Sequence, residues 1–216
     1  MPFTRHKLRG VCSVTAALAM AALSPGSAAD EPDCTARLAL TGIKARQPAV
    51  IPAAAHAACA LTEPVVLISV TARPGPPVQF PDHPLLSCAM AHRLARFSAD
   101  IAAPMALKAF GKPLASVSTG PGYECRPRNR LAGAKISSHG QGNAVDIMEL
   151  ELAGGVKIVV EKPEGAAAMA FLADFRAAAC AAFNTVLGPG SDPSHRSHIH
   201  LDAEPRGKTG NSKFCQ

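Results

Sequence analysis

Apolar positions recur along this chain with a helical period in two stretches and with a strand period in others. Residues 65–70 (VVLISV) form a short run rich in β-branched side chains, which predicts a strand. Residues 73–84 carry five prolines (Pro74, Pro76, Pro77, Pro81 and Pro84), a density that predicts a loop unable to join a sheet or continue a helix. From Leu85 onward, Leu86, Met90, Leu94, Phe97 and Ile101 fall at helical spacing and predict an amphipathic helix ending near Pro104. Residues 115–119 and 123–126 read as a strand broken by Gly120-Pro121-Gly122. Residues 144–150 (AVDIMEL) and 156–160 (VKIVV) flank Gly154-Gly155 and predict a hairpin. A second helix is expected over residues 164–183, where Ala168, Phe171, Leu172, Phe175, Ala179 and Phe183 share one face. Residues 197–203 (SHIHLDA) alternate as a strand. This order predicts an α+β layer structure with a mainly antiparallel sheet flanked by helices. Residues 30–60, Ala- and Pro-rich without a period, read as a lead-in pinned by cysteines; residues 61–216 read as one domain without internal repeats.

Composition sharpens this picture. Of the 216 residues 48% are hydrophobic, but 42 are alanine, with no Trp, one Tyr and eight Phe, so the expected core is short of large side chains and calls for covalent support. Lys+Arg 22 against Asp+Glu 16 gives a formal charge of +6, three of which lie at Arg5, Lys7 and Arg9. That weak surplus gives no footing for nucleic-acid binding.

Residues 1–29 read as an export signal: the three basic residues, an apolar run over residues 11–23, then small residues that fit cleavage after Ala29. The run is too short to span about 30 Å of hydrocarbon, so no membrane anchor is expected after cleavage. Cys12 would leave with the signal. Cys34, Cys59, Cys88, Cys125, Cys180 and Cys215 remain, an even set that predicts three disulfides in a periplasmic or secreted protein. The expected pairs are Cys34–Cys59, Cys88–Cys125 and Cys180–Cys215; no C-x-x-C pair favours a zinc–thiolate cluster instead.

The chemistry concentrates in histidine. His139 lies in SSHGQGNAVD, and His195, His198 and His200 lie in HRSHIH. A strand period of two places His198, His200 and Asp202 on one face, with Ile199 and Leu201 on the other. The glycine-containing turn after His139 can bring it back toward Asp146. Two imidazoles, one carboxylate and an open position make a catalytic zinc arrangement, here His139, Asp146 and His200. Such a metal suits amide hydrolysis, with His198 beside it to take a proton or hold an oxyanion. Buried hydrogen-bonded residues holding a turn to a strand are the alternative. Gly142 is expected to permit a positive φ or a close backbone approach. His56, His83 and His92 are isolated and receive no function.

The motif S-x-H-x-x-G-x-A-x-D (Ser137, His139, Gly142, Ala144, Asp146) followed by H-x-H (His198, His200) resembles the bacterial extensin-like C-terminal domain family. Its zinc-site pattern is similar to those of D-Ala-D-Ala carboxypeptidases and murein endopeptidases, a group that includes lysostaphin-type enzymes and the hedgehog fold. The wider resemblance spans about Cys59 to Cys215 through Tyr123-Glu124-Cys125-Arg126, the segment from Ala179-Cys180 to Phe183, Val186-Leu187-Gly188-Pro189-Gly190 and Phe214-Cys215.

The resemblance implies that His139, Asp146 and His200 bind Zn2+, that His198 assists catalysis, and that Arg126 meets a substrate carboxylate or the oxyanion. It further implies an exported zinc peptidase acting on peptidoglycan stem peptides or cross-links. The carboxypeptidases place a glutamate base where this chain has Ser197, which shifts that role to His198 first and His195 second. Where relatives carry a tryptophan after the first helix and an alanine after the first zinc histidine, this chain has Phe97-Ser98 and Gly140. A non-catalytic wall-binding protein that keeps the fold is the competing reading.

Overall fold

The computed structural model describes residues 1–4 and 32–216, so the expected signal and its cleavage point lie outside the described residues apart from the first four. Residues 32–216 form one unit. Its helices are α1 (Cys34–Leu40), α2 (Cys88–Phe97), α3 (Ala103–Phe110) and α4 (Gly165–Ala182). Its strands are β1 (Ile43–Arg46), β2 (Pro64–Val70), β3 (Val78–Gln79), β4 (Leu85–Ser87), β5 (Leu114–Thr119), β6 (Ala144–Leu152), β7 (Val156–Val159), β8 (Thr185–Leu187), β9 (Ile199–Asp202) and β10 (Phe214–Cys215).

The strands make one mixed sheet in the order β1-β2-β3-β5-β6-β9-β8-β10, with β4 paired to β2 and β7 to β6. The pairings are antiparallel except β3 with β5 and β8 with β10. The α+β expectation therefore holds, with a sheet more mixed than predicted. The nine-residue β6 is its spine: residues 144–147 pair with β9, residues 149–152 with β7 around the Gly154-Gly155 turn, and β5 runs along its other side. The cysteine-pinned lead-in contributes α1 and β1, and β1 pairs with β2 as the outer strand of the same sheet.

Three local expectations are corrected. Within the proline-rich segment, Val78 and Gln79 do pair, with β2 and β5, because both keep their N–H groups between the prolines. The predicted helix from Leu85 begins later, since residues 85–87 pair with β2 and Ser87 caps α2 by accepting from Met90 N at 3.3 Å. It also runs past Pro104. A π-helical turn (Ser98–Ala102), closed by Ala103 N to Ser98 O, leads into α3, and Pro104 falls in that helix's first turn, where its missing N–H costs little. Finally, residues 123–126 are irregular: Tyr123 N bonds Leu85 O at 2.8 Å and Glu124 N bonds His139 O at 3.1 Å.

The core lies where the sheet meets α2, α3 and α4. Ile199 and Leu201 of β9, Val145 and Ile147 of β6, and Phe171, Phe175 and Ala179 of α4 are buried in one cluster. Buried alanines (Ala91, Ala95, Ala99, Ala102, Ala106) lie along α2, the π turn and α3. The few large rings do the filling: Phe97 meets Phe175 and Phe183 edge-on at centroid distances of 5.1 and 5.4 Å.

Three disulfides are present, in agreement with the expected number, but two pairings differ: Cys34–Cys88 and Cys59–Cys125 replace Cys34–Cys59 and Cys88–Cys125, while Cys180–Cys215 is as expected. Pairing by nearness in sequence failed because β4 leads Cys88 to α1, and Cys59 sits beside the segment that follows β5. Such bridges suit an extracellular or periplasmic compartment.

Candidate metal centre

On the sheet face opposite Ile199 and Leu201, register sets the site. Asp146 of β6, His200 of β9 and Leu187 of β8 lie on one rung; Ala144, Asp202 and Thr185 lie on the next. His139 arrives on a 3-10 turn (Ser138–Gln141) between β5 and β6. Ser137 starts the turn by accepting from His139 N at 3.5 Å, and Gly142 ends it in the left-handed region at φ +64°. A Cβ on Gly142 would lie 2.5 Å from Leu61 Cδ2 and 2.7 Å from Ser87 N, so both expected reasons for glycine apply. The turn is fastened to the start of α2 by Ser87 N to Gly142 O at 2.9 Å and Ser87 Oγ to Asn143 Oδ1 at 2.7 Å.

Three donor atoms converge. His139 Nε2 is 3.3 Å from Asp146 Oδ1 and 3.2 Å from His200 Nδ1, and His200 Nδ1 is 2.9 Å from Asp146 Oδ1. An ion about 2.1 Å from each of three tetrahedral donors separates them by roughly 3.4 Å, close to this triangle. The outer nitrogens have their own partners. His139 Nδ1 lies 2.7 Å from the Gly122 carbonyl, and His200 Nε2 lies 3.5 Å from Asp202 Oδ2. Protons donated there leave the lone pairs of His139 Nε2 and His200 Nδ1 facing the same point as the carboxylate, so the donor set fits a divalent ion.

Asp146 is nearly buried. Burial works to raise its pKa, but hydrogen bonds from His139 and His200 and their charge hold it well below the usual carboxylate range. For His200 burial works against the charged ring, yet Asp146 and then Asp202 raise it to about 9 in the metal-free protein. His198 Nε2 lies 3.4 Å from Asp146 Oδ1. Burial lowers its pKa, and the neighbouring imidazoles add to this against the pull of Asp146, which favours the neutral ring.

The sequence-predicted residues share one cavity of about 760 Å³. His195 meets His198 and His200 at inclined ring angles with centroid distances of 5.3 and 5.6 Å, brought there by a 3-10 turn (Pro193–His195). Arg126 lines the same cavity, with Nε donating to Glu124 Oε2 at 2.8 Å.

Sequence reasoning did not assign the carboxylates behind these groups. Asp192 Oδ2 holds His195 Nδ1 at 2.7 Å, Glu124 holds Arg126, and Asp202 backs His200. Asp202 carried a signal, its place on the His198 and His200 face of a strand, and so did Asp192, a capping residue just before Pro193 and three residues from His195.

The family model described as Extensin-like protein C-terminus matches residues 32–216. No curated protein and no solved structure matches the chain.

Proposed function

We infer that this chain, which belongs to the extensin-like protein C-terminus family, is an exported zinc-dependent peptidase that hydrolyses a peptide bond in peptidoglycan stem peptides or cross-links. The observation that carries the reading is the triangle of His139 Nε2, Asp146 Oδ1 and His200 Nδ1 at the floor of an open cavity. The likeness of its motif to those of the D-Ala-D-Ala carboxypeptidases and murein endopeptidases, and so to the hedgehog-like fold, belongs to the same proposal.

Zinc held by these three residues would lower the pKa of its water toward about 7 and polarise the substrate carbonyl. The remaining work falls to the chain's own side chains. His198, whose lowered pKa favours the neutral ring, stands beside the Asp146 carboxylate and can accept the proton of the attacking water, a task that Ser197, at the glutamate position of the carboxypeptidases, cannot perform. His195 is fixed by Asp192 and stands next to His198, where it can hand a proton to the leaving amine. Arg126 offers a planar cation to a substrate carboxylate or to the oxyanion. Purified sacculi incubated with zinc-loaded protein and analysed by mass spectrometry should yield newly cleaved muropeptides. An unchanged muropeptide profile at full zinc occupancy would favour a non-catalytic wall-binding protein instead.

A further inference from the structure

The cavity wall above the triangle holds a second chemistry that the metal-centre reading does not use. Asn129 and Arg130 are consecutive non-glycine residues in the left-handed region, at φ 52° and 57°. Such a conformation is unfavourable for a side chain with a Cβ and is kept where surrounding structure over-determines it. Around this bend Arg128 and Arg130 both line the cavity. Their guanidiniums close on two carboxylates: Arg130 on Glu124, which also lines the cavity, at 2.6 Å, and Arg128 on Glu204, outside the lining, at 2.6 Å. Each glutamate also holds another cation, Arg126 at 2.8 Å and Lys135 at 2.6 Å respectively. Within the 124–130 segment that lines the cavity, three arginines (Arg126, Arg128 and Arg130) therefore stand with a single carboxylate, Glu124, and their guanidiniums suit carboxylate partners.

Exposure separates the roles of these arginines. The Arg126 side chain is 19% exposed and stays packed against Glu124, whereas that of Arg130 is 69% exposed. An ion pair so open to water contributes little to the fold, so Arg130 can exchange Glu124 for an incoming carboxylate while Arg126 keeps Glu124 compensated. We propose that Arg130, backed by Arg128, is a recognition arm for a carboxylate of the ligand outside the reacting bond. This rests on the peptidase reading for the identity of the ligand as an acidic peptide, and the binding it implies is measurable without turnover.

The test uses the pentapeptide L-Ala-γ-D-Glu-L-Lys-D-Ala-D-Ala with its carboxylates free and the same peptide fully amidated, titrated calorimetrically into the intact protein. Wild type should bind the acid form more tightly. Arg130→Ala should weaken the acid form by roughly tenfold and leave the amide unchanged. Glu124→Gln, which removes the internal competitor, should tighten the acid form. Equal binding of acid and amide by wild type, no binding of the acid form, or an unchanged acid-to-amide ratio in Arg130→Ala overturns the proposal. Mass spectrometry of the same samples reports cleavage separately, so selective binding without cleavage refutes the peptidase reading and leaves the arm standing.

Discussion

Asp146 and His200 face one another across the β6–β9 ladder, with His200 Nδ1 2.9 Å from Asp146 Oδ1. Their meeting is a matter of register. A slip of one residue between these strands would turn one of the pair into the core and bring Ile199 or Leu201 to the site face. The buried positions of Ile199 and Leu201 therefore help to hold the triangle of His139, Asp146 and His200 in register.

Replacing His198 should separate metal binding from chemistry. His198→Ala leaves the three ligand residues intact, so zinc content is expected to stay at the wild-type level while turnover of muropeptides falls about 100- to 10,000-fold. Zinc analysis and kinetics on the same preparation check this; a loss of zinc would make His198 a ligand.

Zinc affinity should depend on pH. In the metal-free protein the His200 imidazole, with its pKa raised to about 9, must lose a proton before it binds metal. Affinity is expected to rise about tenfold per pH unit between pH 7 and 9 and then level off. The stability of the metal-free fold runs the other way. A raised pKa contributes fully below the unfolded value near 6.5, and that contribution is lost as pH rises through about 9. Chelator competition and melting curves of EDTA-treated protein measure both; a flat affinity profile contradicts the assignment of His200.

The bridge beneath the His139 turn should matter to the site as well as to stability. Cys59 Sγ lies 3.0 Å from where a Cβ on Gly140 would be, and Cys125 sits between Glu124 and Arg126. Replacing Cys59 and Cys125 together by Ser is expected to cost about 2–5 kcal/mol and to weaken zinc binding. The Cys180 and Cys215 double replacement should lower stability with less effect on zinc. Denaturant titrations and zinc competition distinguish the two, and peptide mapping under non-reducing conditions checks the pairing.

Gly142→Ala should be costly for a single methyl group. Its positive φ and the 2.5 Å approach to Leu61 Cδ2 predict a loss of about 2–4 kcal/mol with weakened zinc retention, read by denaturant unfolding and metal analysis. A neutral outcome would mean that the turn is freer than its contacts suggest.

Much of what positions the site was legible because it is local. Alternation over residues 197–203 placed His198 and His200 together, and the apolar face of α4 was read residue by residue. The elements that escaped are short and owe their form to partners. The three residues of β8 and the two of β3 carry too little pattern to signal a strand and exist because β9, β2 and β5 supply their ladders. Pro104 misled because a preceding π turn shifts the helix so that proline falls in a first turn. The partners of Cys34, Cys59, Cys88 and Cys125 and the pairing of Glu204 with Arg128 and Lys135 depend on tertiary proximity, for which spacing along the chain is no guide, whereas Asp192 and Glu124 lie only three and two residues from His195 and Arg126.

The most direct test of this account is the zinc content of the purified protein after exposure to the metal and removal of the excess, compared with His200→Ala. The account predicts close to one zinc per chain in the wild type and almost none in the variant, with the fold of both verified by circular dichroism. A wild type that retains no zinc, or a folded His200→Ala that retains as much as the wild type, would contradict it.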